Sequence, residues 1–304
     1  MNRKITMTLF LLFAGTMVSN GQFDTTCEVR DVALKKSIGE YMLSVTYEYV
    51  FAIDTVSSIR KTDLEKLEIG LEMSRYYSVF ANRCDSLMYK GRMEDDGTEK
   101  GINVYSWMKD SQQAIYDDYY LNYPGKGILT SRQMIVNVEY EYSEPIPEFE
   151  WRILPDTTDT VMGYRCNIAE TTFRGRNYRV SFTTSIPFPN GPWKFNGTPG
   201  LILKAEEQTG LFRWEAVGIK EGKGPIYIFD PKACKPTKGA PKMVIRKVSR
   251  KQVLALQKKK WSDPVGLIIQ HGVQVATYDR KTKKVVYLSS GDVRGKYIPP
   301  LELE

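Results

Sequence analysis

Alternation of apolar and polar residues, the period of a strand with one wet face, recurs along most of this chain. Residues 42–51 are rich in β-branched and aromatic side chains and partly alternate, as a half-buried strand does. Residues 67–73 alternate cleanly. In the run 134–142, Met134, Val136 and Val138 face one way, and Ile135, Asn137 and Glu139 the other. Residues 80–90 predict a short helix. Residues 164–173, 177–184, 201–206 and 211–219 read as further strands. Arg174-Gly175-Arg176 and Gln208-Thr209-Gly210 supply turns between them.

Two features interrupt this pattern. Two closely spaced prolines, Pro145 and Pro147, cannot continue a central ladder, so the chain turns a corner near 144–150. Pro155-Asp156-Thr157-Thr158-Asp159 is a turn-forming cluster. Later the period becomes helical. Ser249 and Gln252 form a capping box, Val253, Leu254 and Leu256 give an apolar side, and Lys258 to Lys260 suit the C-terminal end of the dipole. Asp263-Pro264 starts a second short helix that Gly272 stops, and residues 273–278 and 284–289 form a closing hairpin. The pattern predicts an α+β fold, mainly antiparallel β, with one or two short C-terminal helices.

The N-terminus sets the compartment. Arg3 and Lys4 precede an apolar stretch from Ile5 to Val18, and Ser19 and Gly21 are small residues at the −3 and −1 positions of a cleavage site. The reading is a signal peptide over 1–21 and an exported, periplasmic or secreted chain over 22–304. That chain forms a single β-rich domain, with 144–150 as its best internal break. Cys27 lacks a lipobox, so no lipid anchor is expected. The formal net charge of +7 is concentrated late in the chain. A basic patch on an exported protein meets anionic headgroups more readily than nucleic acid; a solvated basic face is the plainer reading. In an oxidising compartment Cys27, Cys84, Cys166 and Cys234 are disulfide candidates, with three full pairings open.

Candidate chemistry is sparse. His271 is the single histidine, so any Ser-His or Cys-His mechanism must use it, and its place at a helix end suits a dipole partner. The acidic clusters Glu94-Asp95-Asp96 and Asp117-Asp118 sit in polar stretches and match no calcium loop. No metal or cofactor is expected. Aromatics crowd 105–123 and again at Trp193, Phe195, Phe212 and Trp214; the last two stand two apart and share a strand face.

The densest signal is Gly191-Pro192-Trp193-Lys194-Phe195-Asn196-Gly197-Thr198-Pro199-Gly200-Leu201-Ile202-Leu203-Lys204. Ile186-Pro187-Phe188-Pro189 leads into it as an extended segment. Pro199-Gly200 matches the central pair of a type II turn, with glycine at positive φ. Trp193 and Phe195 are carried across a sheet face, which they either seal or gate. The chosen ligand- or partner-binding residues are Trp193, Phe195, Gly197, Pro199, Gly200 and Leu201.

Gly197-Thr198-Pro199-Gly200-Leu201-Ile202 resembles the name motif of the GLPGLI (Porph_ging) family of exported Bacteroidetes proteins, with Thr198 where leucine is usual. Gly163-Tyr164-Arg165-Cys166, Phe173-Arg174-Gly175-Arg176, Ser74-Arg75-Tyr76-Tyr77-Ser78, the Ser249 helix and Leu301-Glu302-Leu303-Glu304 extend the resemblance over most of the chain. It implies no catalytic residues. By fold analogy it implies a curved sheet or half-barrel like that of the LolA lipoprotein carriers. The leading expectation is a periplasmic, non-enzymatic binding or chaperone-like protein holding an acyl chain or hydrophobic peptide, with Trp193, Phe195 and Leu201 at the rim. An accessory protein of an outer-membrane transport or secretion complex is the alternative, and a hydrolase is third.

Overall fold

The computed structural model describes residues 8–10, 35–53, 59–82, 115–135, 138–230, 245–270, 274–279, 283–293 and 300–303. In chain order the strands are β1 (Thr8–Phe10), β2 (Lys35–Ala52), β3 (Arg60–Ile69), β4 (Ser74–Ser78), β5 (Asp117–Leu121), β6 (Ile128–Ile135), β7 (Val138–Pro145) and β8 (Arg152–Val161). They continue as β9 (Tyr164–Phe173), β10 (Arg176–Thr183), β11 (Leu201–Glu207), β12 (Phe212–Phe229) and β13 (Ile245–Lys247). Helices α1 (Arg250–Ser262) and α2 (Pro264–Gln270) follow, then β14 (Gln274–Asp279) and β15 (Lys284–Tyr287).

Twelve strands form one sheet in the order β13-β7-β6-β5-β4-β3-β2-β12-β11-β10-β9-β8. Its pairings are antiparallel except that β13 joins β7 in parallel, so the sheet is mixed. A second sheet has the order β1-β14-β15; β1 lies inside the segment predicted as a signal peptide and pairs with β14 in parallel.

The α+β half-barrel expected from the sequence is not the fold. Among the described residues 60% are strand and 11% helix, and the large sheet is not closed. The strands predicted over 42–51 and 211–219 are longer than expected, because the irregular positions beyond them are bulges inside long strands. β2 and β12 each run 18 residues, and their ladder shifts register between Ala216 and Gly218, between Glu221 and Gly224, and between Ile226 and Tyr227. A bulge bends its strand without ending it. In the same way Pro155 to Asp159 is no turn: β8 runs through it, with its register shift between Leu154 and Thr158.

Two alternating runs conceal hairpins. The run 134–142 contains the β6–β7 reversal, with Ile135 opposite Val138, and the run 67–73 contains the β3–β4 turn, whose Gly70 amide donates to the Met73 carbonyl. Alternation survives both turns, so it conceals them. Residues 79–82 are helical, and the rest of the helix predicted at 80–90 lies outside the described residues. So do His271, Gly272, Cys27, Cys84, Cys234, Glu94-Asp95-Asp96, Tyr105 and Trp107.

The corner near 144–150 does form. The chain leaves β7 at Pro145 and enters β8 at Arg152, ten places away in the sheet order. Six linking residues reach at most about 25 Å, whereas ten strand spacings of a flat sheet measure about 48 Å. The sheet is therefore strongly bent while remaining open. Its inner face carries alternate residues of each strand: Tyr49 lies opposite both Trp214 and Asp63, and Ala205 opposite Trp214. This face holds the main apolar core.

Candidate functional site

The Gly/Pro motif lies inside that core. An isolated bridge between Asn190 and Asn196 closes a loop in which Trp193 takes a left-handed φ of 55° and both aromatics turn inward. Trp193 stacks on Trp214 at 6.4 Å and 9°, and Phe195 meets the same indole edge-on at 5.7 Å. Phe195 also packs on Tyr178 at 5.0 Å and Phe149 at 5.5 Å. Trp193, Phe195 and Leu201 are 2%, 0% and 0% exposed. The structure therefore places these chosen residues in the packed interior, not at a rim. At roughly 1.5–3 kcal/mol for each large apolar side chain fully buried, the motif contributes a substantial part of the core.

The turn chemistry differs from expectation. Gly197 carries the positive φ, 85°, rather than Gly200. Gly200 is required for closeness: a Cβ there would lie 2.1 Å from the Thr183 carbonyl oxygen. Thr198, the departure from the family motif, is 1% exposed and donates from its hydroxyl to the Gly200 carbonyl at 2.7 Å.

Between the two aromatics, Lys194 points the opposite way into a buried ionic cluster. Its Nζ is 2.8 Å from the Tyr142 hydroxyl and 2.9 Å from Glu144 Oε1, and it also contacts Glu302 Oε1. Arg174 donates to Glu144 Oε2 at 2.6 Å and to Glu302 Oε2 at 2.7 Å, and Arg250 donates to Glu302 Oε2 at 2.7 Å. The motif loop here meets four other parts of the fold: β7, the left-handed turn between β9 and β10, the first residue of α1, and the segment 300–303. Burial alone pulls the lysine pKa down, but Tyr142, Glu302 and Glu144 outweigh it and hold the pKa above its ordinary value. Glu144 is buried enough to be pushed up, yet hydrogen bonds from Arg174 and Lys194 bring it below its ordinary value. Both shifts favour the charged forms of Lys194 and Glu144.

The segment 300–303 is bound through its backbone as well. Arg176 Nε donates to the Pro300 carbonyl at 2.9 Å, the Tyr178 hydroxyl to the Leu301 carbonyl at 2.7 Å, and the Leu303 amide to the Arg174 carbonyl at 3.0 Å. Leu301 packs against the main core.

Asp63 and Glu65 form a second polar site, two apart on the inner face of β3 and 0% and 4% exposed. Asp63 accepts from the Ser78 hydroxyl at 3.0 Å and the Ile115 amide at 2.8 Å, while Glu65 accepts from Trp214 Nε1 at 3.3 Å. Burial pushes Asp63 up to about 8. Burial, with the charge of Asp63 added, raises Glu65 well above the carboxylate range. Carrying the 67–73 alternation back along β3 puts both acids on the apolar face, a signal that sequence reasoning left unused. Asp117 and Asp118, read from the sequence as an acidic cluster in a polar stretch, instead open β5 and point to opposite faces; Asp118 is buried and pairs with Arg75 at 3.0 Å. Cys166 is a buried free thiol whose pKa burial raises.

No protein-family model matches this chain, and no curated protein matches it. Two solved structures of PNGF-II, in space groups P21 and C2, align with it at TM-scores of 0.43 and 0.42 and identities of 12% and 13%. Each alignment covers 79% of this chain and 35% of PNGF-II, so the chain spans about a third of that protein's length. Likeness of this order supports no statement about activity.

Proposed function

We propose that the protein is an exported binding protein that works by docking through its surface, as an accessory component of an outer-membrane transport or secretion assembly. The observation that carries this reading is the burial of Trp193, Phe195 and Leu201. The apolar side chains best suited to hold an acyl chain are already engaged with Trp214, Tyr178 and Phe149. Binding an apolar ligand among them would require displacing packed rings, at about 3–5 kcal/mol for the loss of one large aromatic contact set. The resemblance to the GLPGLI family and the signal-like N-terminus support the compartment.

In-cell photo-cross-linking tests this. A photoreactive residue at Leu303, 52% exposed and next to the ionic cluster, should trap one envelope protein, identified by mass spectrometry. The same probe at Leu71, 84% exposed on the β3–β4 turn, should not. Absence of any adduct from Leu303, Met162 and Leu71, together with saturable acyl-chain binding, would restore the carrier reading.

A further inference from the structure

We infer that the ionic cluster at Lys194 is a peptide-recognition site, that the segment 300–303 is its resident ligand in cis, and that the partner's contribution is an extended segment of aliphatic–acidic–aliphatic pattern. This deepens the docking reading and rests on it.

The receiving groups are also tied to one another, apart from the segment they hold. Glu144 alone partners Lys194 at 2.9 Å and Arg174 at 2.6 Å, so both cations keep an ion pair when Glu302 is elsewhere. Arg250, 26% exposed at its side chain, keeps Glu144 Oε2 at 3.7 Å as well. Without Glu302, three cations face one carboxylate; with it, they face two. A preorganised hole with surplus positive charge selects an anionic group, and charge-assisted hydrogen bonds of this kind are the strong ones.

The remaining contacts select a peptide over a free anion. Arg176 Nε and the Tyr178 hydroxyl donate to consecutive main-chain carbonyls, Pro300 and Leu301. The Arg174 carbonyl accepts the Leu303 amide. A phosphate or acetate satisfies the cations and none of these three. Residues 300–303 belong to neither sheet, so the segment is held by the bonds named and by Leu301 on the core. An extended peptide bringing a carboxylate between two aliphatic residues reproduces the whole set.

The test uses the full chain and a fluorescein-labelled peptide of residues 298–304, blocked at both ends. Glu302→Gln weakens the resident segment. Fluorescence anisotropy should then show saturable peptide binding at least tenfold tighter than to the wild-type chain, whose site is occupied. A peptide with Gln for its central Glu, or an added Arg250→Ala in the protein, should weaken binding at least tenfold. A folded Glu302→Gln chain that binds no better than wild type, or binds Glu and Gln peptides equally, overturns the proposal. Should Glu302→Gln fail to fold, the wild-type chain with a protease site inserted between 293 and 300 decides. After cutting, native mass spectrometry should show the released segment exchanging with labelled peptide, and retention until global unfolding overturns the proposal. A cross-link from Leu303 combined with failed peptide binding defeats this inference while leaving the docking reading standing.

Discussion

Replacing Lys194 with methionine isolates the ionic contribution of the motif, because the two side chains are similar in length and the swap itself perturbs packing by under about 1.5 kcal/mol. The lysine is 1% exposed and makes three hydrogen bonds. Breaking a buried pair by removing one partner costs about 3–5 kcal/mol when the other is stranded. Here neither carboxylate is stranded, since Glu302 keeps Arg174 and Arg250, and Glu144 keeps Arg174. Lys194→Met should therefore cost at most about 3 kcal/mol, the low end of that range. Glu302→Gln leaves Lys194, Arg174 and Arg250 sharing the single carboxylate of Glu144, and should cost at least as much. Urea unfolding followed by tryptophan emission reports this, because Trp193 lies beside Lys194 and loses its stack on Trp214 on unfolding. With an m-value of about 1–3 kcal/mol/M the midpoint should fall by no more than about 1–3 M at unchanged slope. A Lys194→Met shift below about 0.5 kcal/mol, within the range of ordinary surface changes, would refute the reasoning.

Other perturbations probe separate parts of the structure. Asp63 and Glu65 hold protons in the folded state that the unfolded chain has released above the usual carboxylate range. Their stabilisation is present at low pH and is lost as pH rises, through about 8 for Asp63. Glu65→Gln should flatten the fall of stability with pH in that window by up to about 1.4 kcal/mol per pH unit; an unchanged slope in urea melts across pH 5–8 contradicts it. Glu144 acts in the opposite sense: its stabilisation is present above the unfolded carboxylate value and is lost as pH falls through its lowered folded value. Gly200→Ala should destabilise by about 1–3 kcal/mol through overpacking on the Thr183 carbonyl, and a midpoint equal to wild type refutes that. A brief iodoacetamide pulse should leave Cys166, 0% exposed, unlabelled until denaturant is added; labelling of the native chain, read by peptide mass spectrometry, refutes its enclosure.

How much of this was legible in the sequence depended on the range of the interaction. The capping box at Ser249 and Gln252 forms as its local spacing dictates. The Arg174-Gly175 hairpin turn forms as well, with φ of 45° and 80°. The shared face of Phe212 and Trp214 follows from the period of a strand. Lys194 escaped notice because it stands between two aromatics, and its carboxylate partners lie 50 and 108 residues away; no pattern within the motif marks them. The strand predicted over 211–219 continues to Phe229 because the glycines that follow fall at bulges and do not end it. Whether a bulge or a turn follows depends on the neighbouring strand, and β2 continues to pair on both sides of each irregularity.

The central claim is that the motif's aromatics fill the sheet's inner face and leave binding to the surface. Titration of the wild-type chain with a fluorescent fatty acid tests it most directly. The account predicts no saturable increase in probe emission and no change in Trp193 and Trp214 fluorescence. One-to-one saturable binding, competed by unlabelled fatty acid and accompanied by quenching of those tryptophans, would contradict it.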